Sequence, residues 1–331
     1  MQEPFPVLTR LFIQSGDGNV PVLHAEFLGG SAPRLQHINL GGIPFPALPT
    51  HLLSTSDLVA LTLRDIPPSG YISPKAFVVG LAAKPRLSYF TIEFQSSTPR
   101  PDRIHPPPVT RTILPALTTF YLTGASEYLE DLVSRIDAPQ LDGIHISYLN
   151  QLFDFQVDQL ARFVDRTVGP KLSQSRYAEV NFRDYRVNFD MSRHATKDSY
   201  HRHGLTSIVC QGIGWQVSHI AQVISHVSAT LANVVHLKLW SWLGEVSQLE
   251  GADSVDWLHL LHQFPAVQSL RVSKELAGHV AFALEDIPLE AVAQTPPYLD
   301  LIYLEGQPAS SIEKFVAARL LSGRPVIVVE T

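Results

Sequence analysis

A nine-residue phrase recurs along this chain and limits what it can fold into more than any other feature. It reads APRLQHINL from Ala32, FPVLTRLFI from Phe5, KPRLSYFTI from Lys84, LPALTTFYL from Leu114 and APQLDGIHI from Ala138. The shared pattern is Pro-x-Leu-x-x-apolar-x-apolar, with clear instances starting at Pro6, Pro33, Pro85, Pro115, Pro139, Pro265 and Pro297. Weaker copies are SDLVALTL from Ser56, PKL from Pro170, GLTSIVC from Gly204 and NVVHLKL from Asn233. Pro33 and Pro85 lie 52 residues apart, room for two units with the Ser56 copy near the middle, and the 95 residues from Pro170 to Pro265 hold three. A fixed phrase at a drifting interval is the mark of an irregular repeat array.

Each phrase reads as a strand. Alternate side chains of a strand point to opposite faces, so Leu35, Ile38 and Leu40 are expected in a core, with His37, Asn39 and Gly41 outside. The leading proline fixes φ and lacks an N–H, which suits a turn at the strand's start. Helical spacing fills the intervals. In residues 125–138, Tyr128, Leu129, Leu132, Val133 and Ile136 form one stripe, with Ser126 expected to cap its start. Further helices are expected over 155–168, 215–231, 253–264 and 310–321. A unit of strand, turn and helix can bury its apolar side only against its neighbours.

The expected fold is therefore α/β, a curved solenoid of about ten or eleven repeats over residues 1–331, with a mainly parallel concave sheet and helices on the convex side. Two stretches break the pattern. Residues 96–110 are proline-rich and read as a surface loop, with a polyproline ligand as the alternative. Residues 176–203 read as an insertion, a hairpin around RDYR flanked by the alternating pairs Val180/Phe182 and Val187/Phe189.

The pattern resembles the leucine-rich repeat. The Pro-x-Leu starts, with DRIHPPP, ASEYLEDLVSRIDAPQLD and FDFQVDQLARFVDR, resemble more specifically the repeat region of basidiomycete (fungal) F-box-like proteins. That resemblance implies the substrate-receptor part of an F-box-type ubiquitin ligase. The asparagine or cysteine of the standard repeat is mostly missing here. No F-box precedes Pro6, and the first coil lacks a polar cap, so an upstream extension of the natural protein is expected.

Composition narrows the chemistry. Of 331 residues, 45% are hydrophobic and 17% charged, enough for a sizeable core. A net charge of -6 without a basic run gives no reason to expect nucleic acid or anionic membrane as partner. Cys210 is the single cysteine, which rules out an internal disulfide framework or a thiolate zinc cluster. MQEPFPVLTR is not a signal peptide and no apolar run spans a bilayer, so a cytoplasmic or nuclear protein is expected.

Catalytic and metal signatures do not outweigh their ordinary readings. His194, His201 and His203 sit in a polar stretch whose default is a solvated loop. Asp256, His259 and His262 share a helix face, as polar faces do, and His219 with His226 aligns similarly. Cys210 sits inward on a strand, GIGWQV lacks the third glycine of a dinucleotide loop, and Glu130 with Asp131 reads as a solvated helix surface. No catalytic, cofactor or metal site is assigned.

Binding is expected instead on the outward strand positions, whose identities packing leaves free. These are Arg10, Phe12, His37, Asn39 and Arg64, then Tyr89, Glu93, Tyr121 and His145. Later come His236, Lys238, Trp240, Arg271 and Tyr303. Thr62, Thr91, Thr119, Ser147, Ser269 and Glu305 lie between them. Aromatics interleaved with arginine, histidine and glutamate match the residue types of protein-binding hot spots. The expected function is non-catalytic recognition of a protein partner by a chain monomeric on its own. The alternatives are a hydrolytic enzyme with an α/β fold, which needs a nucleophile and a histidine converging in a pocket, and a degenerate structural scaffold without a specific partner.

Overall fold

A computed structural model describes residues 5–15, 22–24, 27–30, 32–97, 108–149, 157–183, 186–193, 206–211, 216–227, 231–241, 253–292 and 295–330. The chain divides into two compact units, Met1–Val168 and Gly169–Thr331.

In the first unit, strands β1 (Arg10–Gln14), β2 (His37–Gly41), β3 (Ala60–Ile66), β4 (Tyr89–Phe94), β6 (Thr119–Gly124) and β8 (Gly143–Tyr148) pair in that order, all parallel. The short strands β5 (Thr112–Ile113) and β7 (Ile136–Asp137) make a separate parallel pair. Helices α1 (Leu48–Leu53), α2 (Pro74–Leu81), α3 (Ser126–Arg135) and α4 (Asp158–Thr167) lie between or after the strands. Their apolar stripes meet one face of the sheet: the Phe77 ring of α2 stacks on Phe90 at 5.4 Å, and Phe90 on Phe120 at 5.3 Å. Each such fully buried ring contributes about 1.5–3 kcal/mol of transfer free energy.

The repeated phrase has a single structural meaning at all seven of its clear occurrences. The residue before the proline accepts a hydrogen bond from the amide three positions on: Phe5 from Leu8, Ala32 from Leu35, Lys84 from Leu87, Leu114 from Leu117, Ala138 from Leu141, Phe264 from Val267 and Pro296 from Leu299. Proline occupies the second position of this turn, where its fixed φ is already correct. The leucine then drops into the core, Leu35 at 2% exposure and Leu87, Leu117 and Leu141 at 0%. The next carbonyl links neighbouring coils. Gln36 O accepts from both Val59 N and Ala60 N, Val59 O from Ser88 N and Tyr89 N, and Ser88 O from Thr118 N and Thr119 N. This backbone ladder, with the Thr118 hydroxyl donating to Ser88 O at 3.0 Å, ties the strand starts together without asparagine side chains.

The second unit repeats the device. Strands β9 (Tyr177–Arg183), β12 (His236–Ser241), β13 (Ser269–Val272), β14 (Leu301–Leu304) and β15 (Ile327–Glu330) are parallel. Strand β10 (Arg186–Ser192) runs antiparallel to β9 and to β11 (Thr206–Gln211). The hairpin expected around RDYR is present, and Val180, Phe182, Val187 and Phe189 are all fully buried. Helices α5 (Gly169–Leu172), α6 (Gln216–Ser225), α7 (Ser254–His262), α8 (Lys274–Glu285), α9 (Leu289–Val292) and α10 (Glu313–Leu321) complete it.

Several expectations need correction. Pro170 and Leu172 lie in α5, not in a turn before a strand; the core position ahead of β9 belongs to Ser175, whose amide bonds Leu172 O and which is 0% exposed. Ser126 is the first residue of α3 and does not cap it. Glu130 and Asp131 are buried, not solvated: Glu130 accepts from Gln159 N and Leu160 N at 2.7 and 2.8 Å, and Asp131 pairs with Arg135 at 2.7 Å. Gly41 faces outward as expected, in register with Gln14 and Arg64, but the Gln14 side chain covers it and it is buried. The α/β class with a mainly parallel sheet stands.

Candidate binding face

Register decides which side chains stand together on the sheet face away from the helices. In the first unit it aligns Arg10, His37, Ala60, Tyr89, Thr119 and Gly143 in one row. Phe12, Asn39, Thr62, Thr91, Tyr121 and His145 form the next. Side chains in facing positions of adjacent strands lie about 5 Å apart, close enough to interact across the ladder.

The aromatic members do interact. Tyr121 stacks on His145 with ring centres 4.2 Å apart and planes 8° from parallel, and Tyr89 leans on Tyr121 at 5.6 Å. Burial lowers the His145 pKa, keeping the ring neutral against its tyrosine, and burial followed by Tyr89 raises that of Tyr121. At the strand ends Arg64 meets Glu93 at 3.6 Å. A bulge between Leu63 and Ile66 puts both Arg64 and Asp65 outside, Asp65 with φ +51°, and returns Ile66 to the core. Burial raises the Glu93 pKa, Arg64 opposes this and Asp65 adds to it. Phe12 is 67% exposed, an apolar ring left in water at the sheet edge. Thr62 and Thr91 face the same way yet are buried beneath their neighbours.

The second unit offers a comparable face. Glu179, Lys238, Arg271 and Tyr303 form one row, Tyr177, His236, Ser269 and Leu301 another. Tyr177 stacks on His236 at 4.5 Å, and burial, then Arg176, lowers the His236 pKa. The Lys238 ammonium lies 3.6 Å from Glu179 and 4.2 Å from the Trp240 ring centre. Arg271 donates to Glu305 through Nε and Nη2, at 3.1 and 3.0 Å. The pairs hold long side chains in one orientation, so ordering them costs little further entropy.

Every outward residue read from the sequence stands on one of these faces. Each face is continuous within its own unit. Sequence reasoning missed the contribution of the hairpin, Tyr177 and Glu179 on β9 and Asn188 and Asp190 on β10; Asn181, on the same face, is fully buried. The alternation Val180/Phe182 and Val187/Phe189 carried that signal, since the residues between buried ones must face the other way.

Some of the other candidate side chains are held by neighbours. His262 bonds the Thr295 hydroxyl at 3.0 Å and His226 Nδ1 meets Gln222 O at 2.8 Å. Cys210 stands opposite Val187 in the β10–β11 register. Among the described residues no three histidine, cysteine or carboxylate side chains converge to hold a metal ion, and no helix is long and apolar enough to cross a membrane. His194, His201, His203, Trp242, GIGW at 212–215 and most of the proline-rich stretch lie outside the described residues.

No protein-family model matches the chain, and no curated protein does. Among solved structures, the leucine-rich repeat-containing protein LegL7 of Legionella pneumophila aligns over 91% of this chain and 76% of its own, at 12% identity and a TM-score of 0.34. At that TM-score the likeness is too loose to carry function from one chain to the other.

Proposed function

We propose that this protein recognises a protein partner through the sheet face turned away from its helices, and that it does so without catalysis. The observation that supports this is the packing of that face: stacked Tyr–His pairs and preset ion pairs stand among half-buried aromatics and the exposed Phe12, where a merely solvated sheet needs neither. The reading includes the expected architecture, one curved array of about ten or eleven coils with the face on its concave side, and a chain that is monomeric alone in the cytoplasm or nucleus. On the sequence resemblance, its finer role is that of substrate receptor in an F-box-type ubiquitin ligase.

Alanine at Tyr121, Trp240 and Tyr303 tests the proposal. Aromatic pairs contribute about 0.5–1.5 kcal/mol beyond area, so the triple variant should melt within a few degrees of wild type while losing its captured partners. Alanine at the exposed helix residues Leu53 and Val79 should leave capture intact. Partners retained by the triple variant would refute the assignment.

A further inference from the structure

A second site lies in the second unit, away from the sheet face. A groove of about 540 Å³ opens where α7 and α8 begin, at the carboxyl ends of β13 and β14. Its volume falls in the range of small-molecule pockets, and the carboxyl ends of parallel strands are where open α/β sheets ordinarily take ligands.

Three features of the wall are not explained by folding. Gly278 sits inside α8 with ordinary backbone angles, and a Cβ there would meet only Gln307 Nε2, at 3.8 Å. Glycine inside a helix is unfavourable relative to alanine, and here packing does not require it; what it does is leave the groove open. Trp257, 1% exposed, backs the wall with its indole N–H buried and without an acceptor. Lys274, Glu275 and Gln307 also line the groove, Gln307 with its Nε2 nearest Gly278, and none pairs with another side chain among the described residues.

The lining mixes both charge signs and both donors and acceptors. An anion would meet Asp253 and Glu275, and a cation would meet Lys274, whose stem is held against Gly306, where a Cβ would come within 2.9 Å of Lys274 Cγ. A neutral ligand bearing several hydroxyl groups, each able to donate and accept, suits all of them. Phe282, 68% exposed on the rim, supplies an apolar surface for its C–H face. We propose that this groove binds a saccharide unit, with Glu275, Lys274 and Gln307 on its hydroxyls and Phe282 against its ring.

Saturation-transfer NMR and calorimetry on the full chain would use glucose, N-acetylglucosamine and cellobiose as probes, with inorganic phosphate and a lysine-containing tripeptide as controls. At least one sugar should bind, Gln307→Ala and Phe282→Ser should each weaken it about tenfold, the loss of one hydrogen bond or contact, and Gly278→Leu should abolish it. Gly278→Ala should raise the melting temperature, as helix propensity dictates, while lowering sugar affinity. Because Phe282 is exposed, its variant keeps the test valid should Gly278→Leu fail to fold. Binding of none of the sugars, of phosphate or the peptide alone, or of sugar equally by wild type and every variant, would overturn the assignment.

Discussion

Lys84 shows how a single residue of the repeat can carry an electrostatic cost. It precedes the proline of its phrase, its carbonyl closes the turn onto Leu87, and its side chain is 1% exposed with the ammonium 3.4 Å from Ala83 O. Burial lowers its pKa to about 8. Between that value and the ordinary 10.5 the unfolded chain binds more protons than the folded one, so stability rises with pH across this window. Below pH 8 both states hold the proton and the cost is constant. Lys84→Met should therefore be more stable than wild type at pH 7, by about 1–3 kcal/mol. The advantage should shrink as pH climbs from 8 toward 10.5. Paired urea melts at pH 7 and pH 10 measure this, and an advantage that does not change with pH would show that Lys84 is not buried as a charge. The sequence marked Lys84 only as the first letter of a phrase; its burial comes from packing between coils.

At the scale of elements, the helices are linked by a device that no local pattern announces. Glu130 of α3 accepts two amide hydrogen bonds from Gln159 and Leu160, in the first turn of α4, which has no side-chain cap of its own. Glu285 of α8 does the same for α10 through Phe315 N, at 3.2 Å. A carboxylate at a helix start satisfies orphan N–H groups and opposes the helix dipole. Glu130→Ala, leaving those buried amides without an acceptor, should cost about 2 kcal/mol in denaturant unfolding, against well under 1 kcal/mol for Glu127→Ala on the same helix. Equal costs would remove the cap from the account. Read along the chain, Glu130 looked like solvated charge, because its partner lies 29 residues away. The strands were far more legible: proline, leucine and alternation each act locally, and all seven clear phrases became the same turn. Helices α1, α2 and α8 escaped notice, as did the four-residue α5 and α9: α1 is six residues long, α2 eight, and the pattern of α8 is interrupted by Gly278.

For the molecule as a whole, the repeat explains why binding is expected on the sheet. Turn, leucine and strand core are fixed by packing, so the residues between them are where sequence is free to vary toward a partner. The sequence placed Tyr121, His145, Lys238 and Trp240 outward, but the stacks and ion pairs among them depend on register across coils, which one strand's sequence does not contain. It also gave no hint of the groove beside Gly278, whose walls come from α7, α8 and the loop after β14. The central claim is that the sheet face, and not the helix side, meets the partner. Photo-crosslinking from benzoylphenylalanine placed at Tyr121 and Tyr303, compared with Val79 and Leu320 on the helices, tests it most directly. Protein adducts should form at positions 121 and 303 and be absent at 79 and 320; adducts at the helix positions alone, or equally at all four, would contradict it.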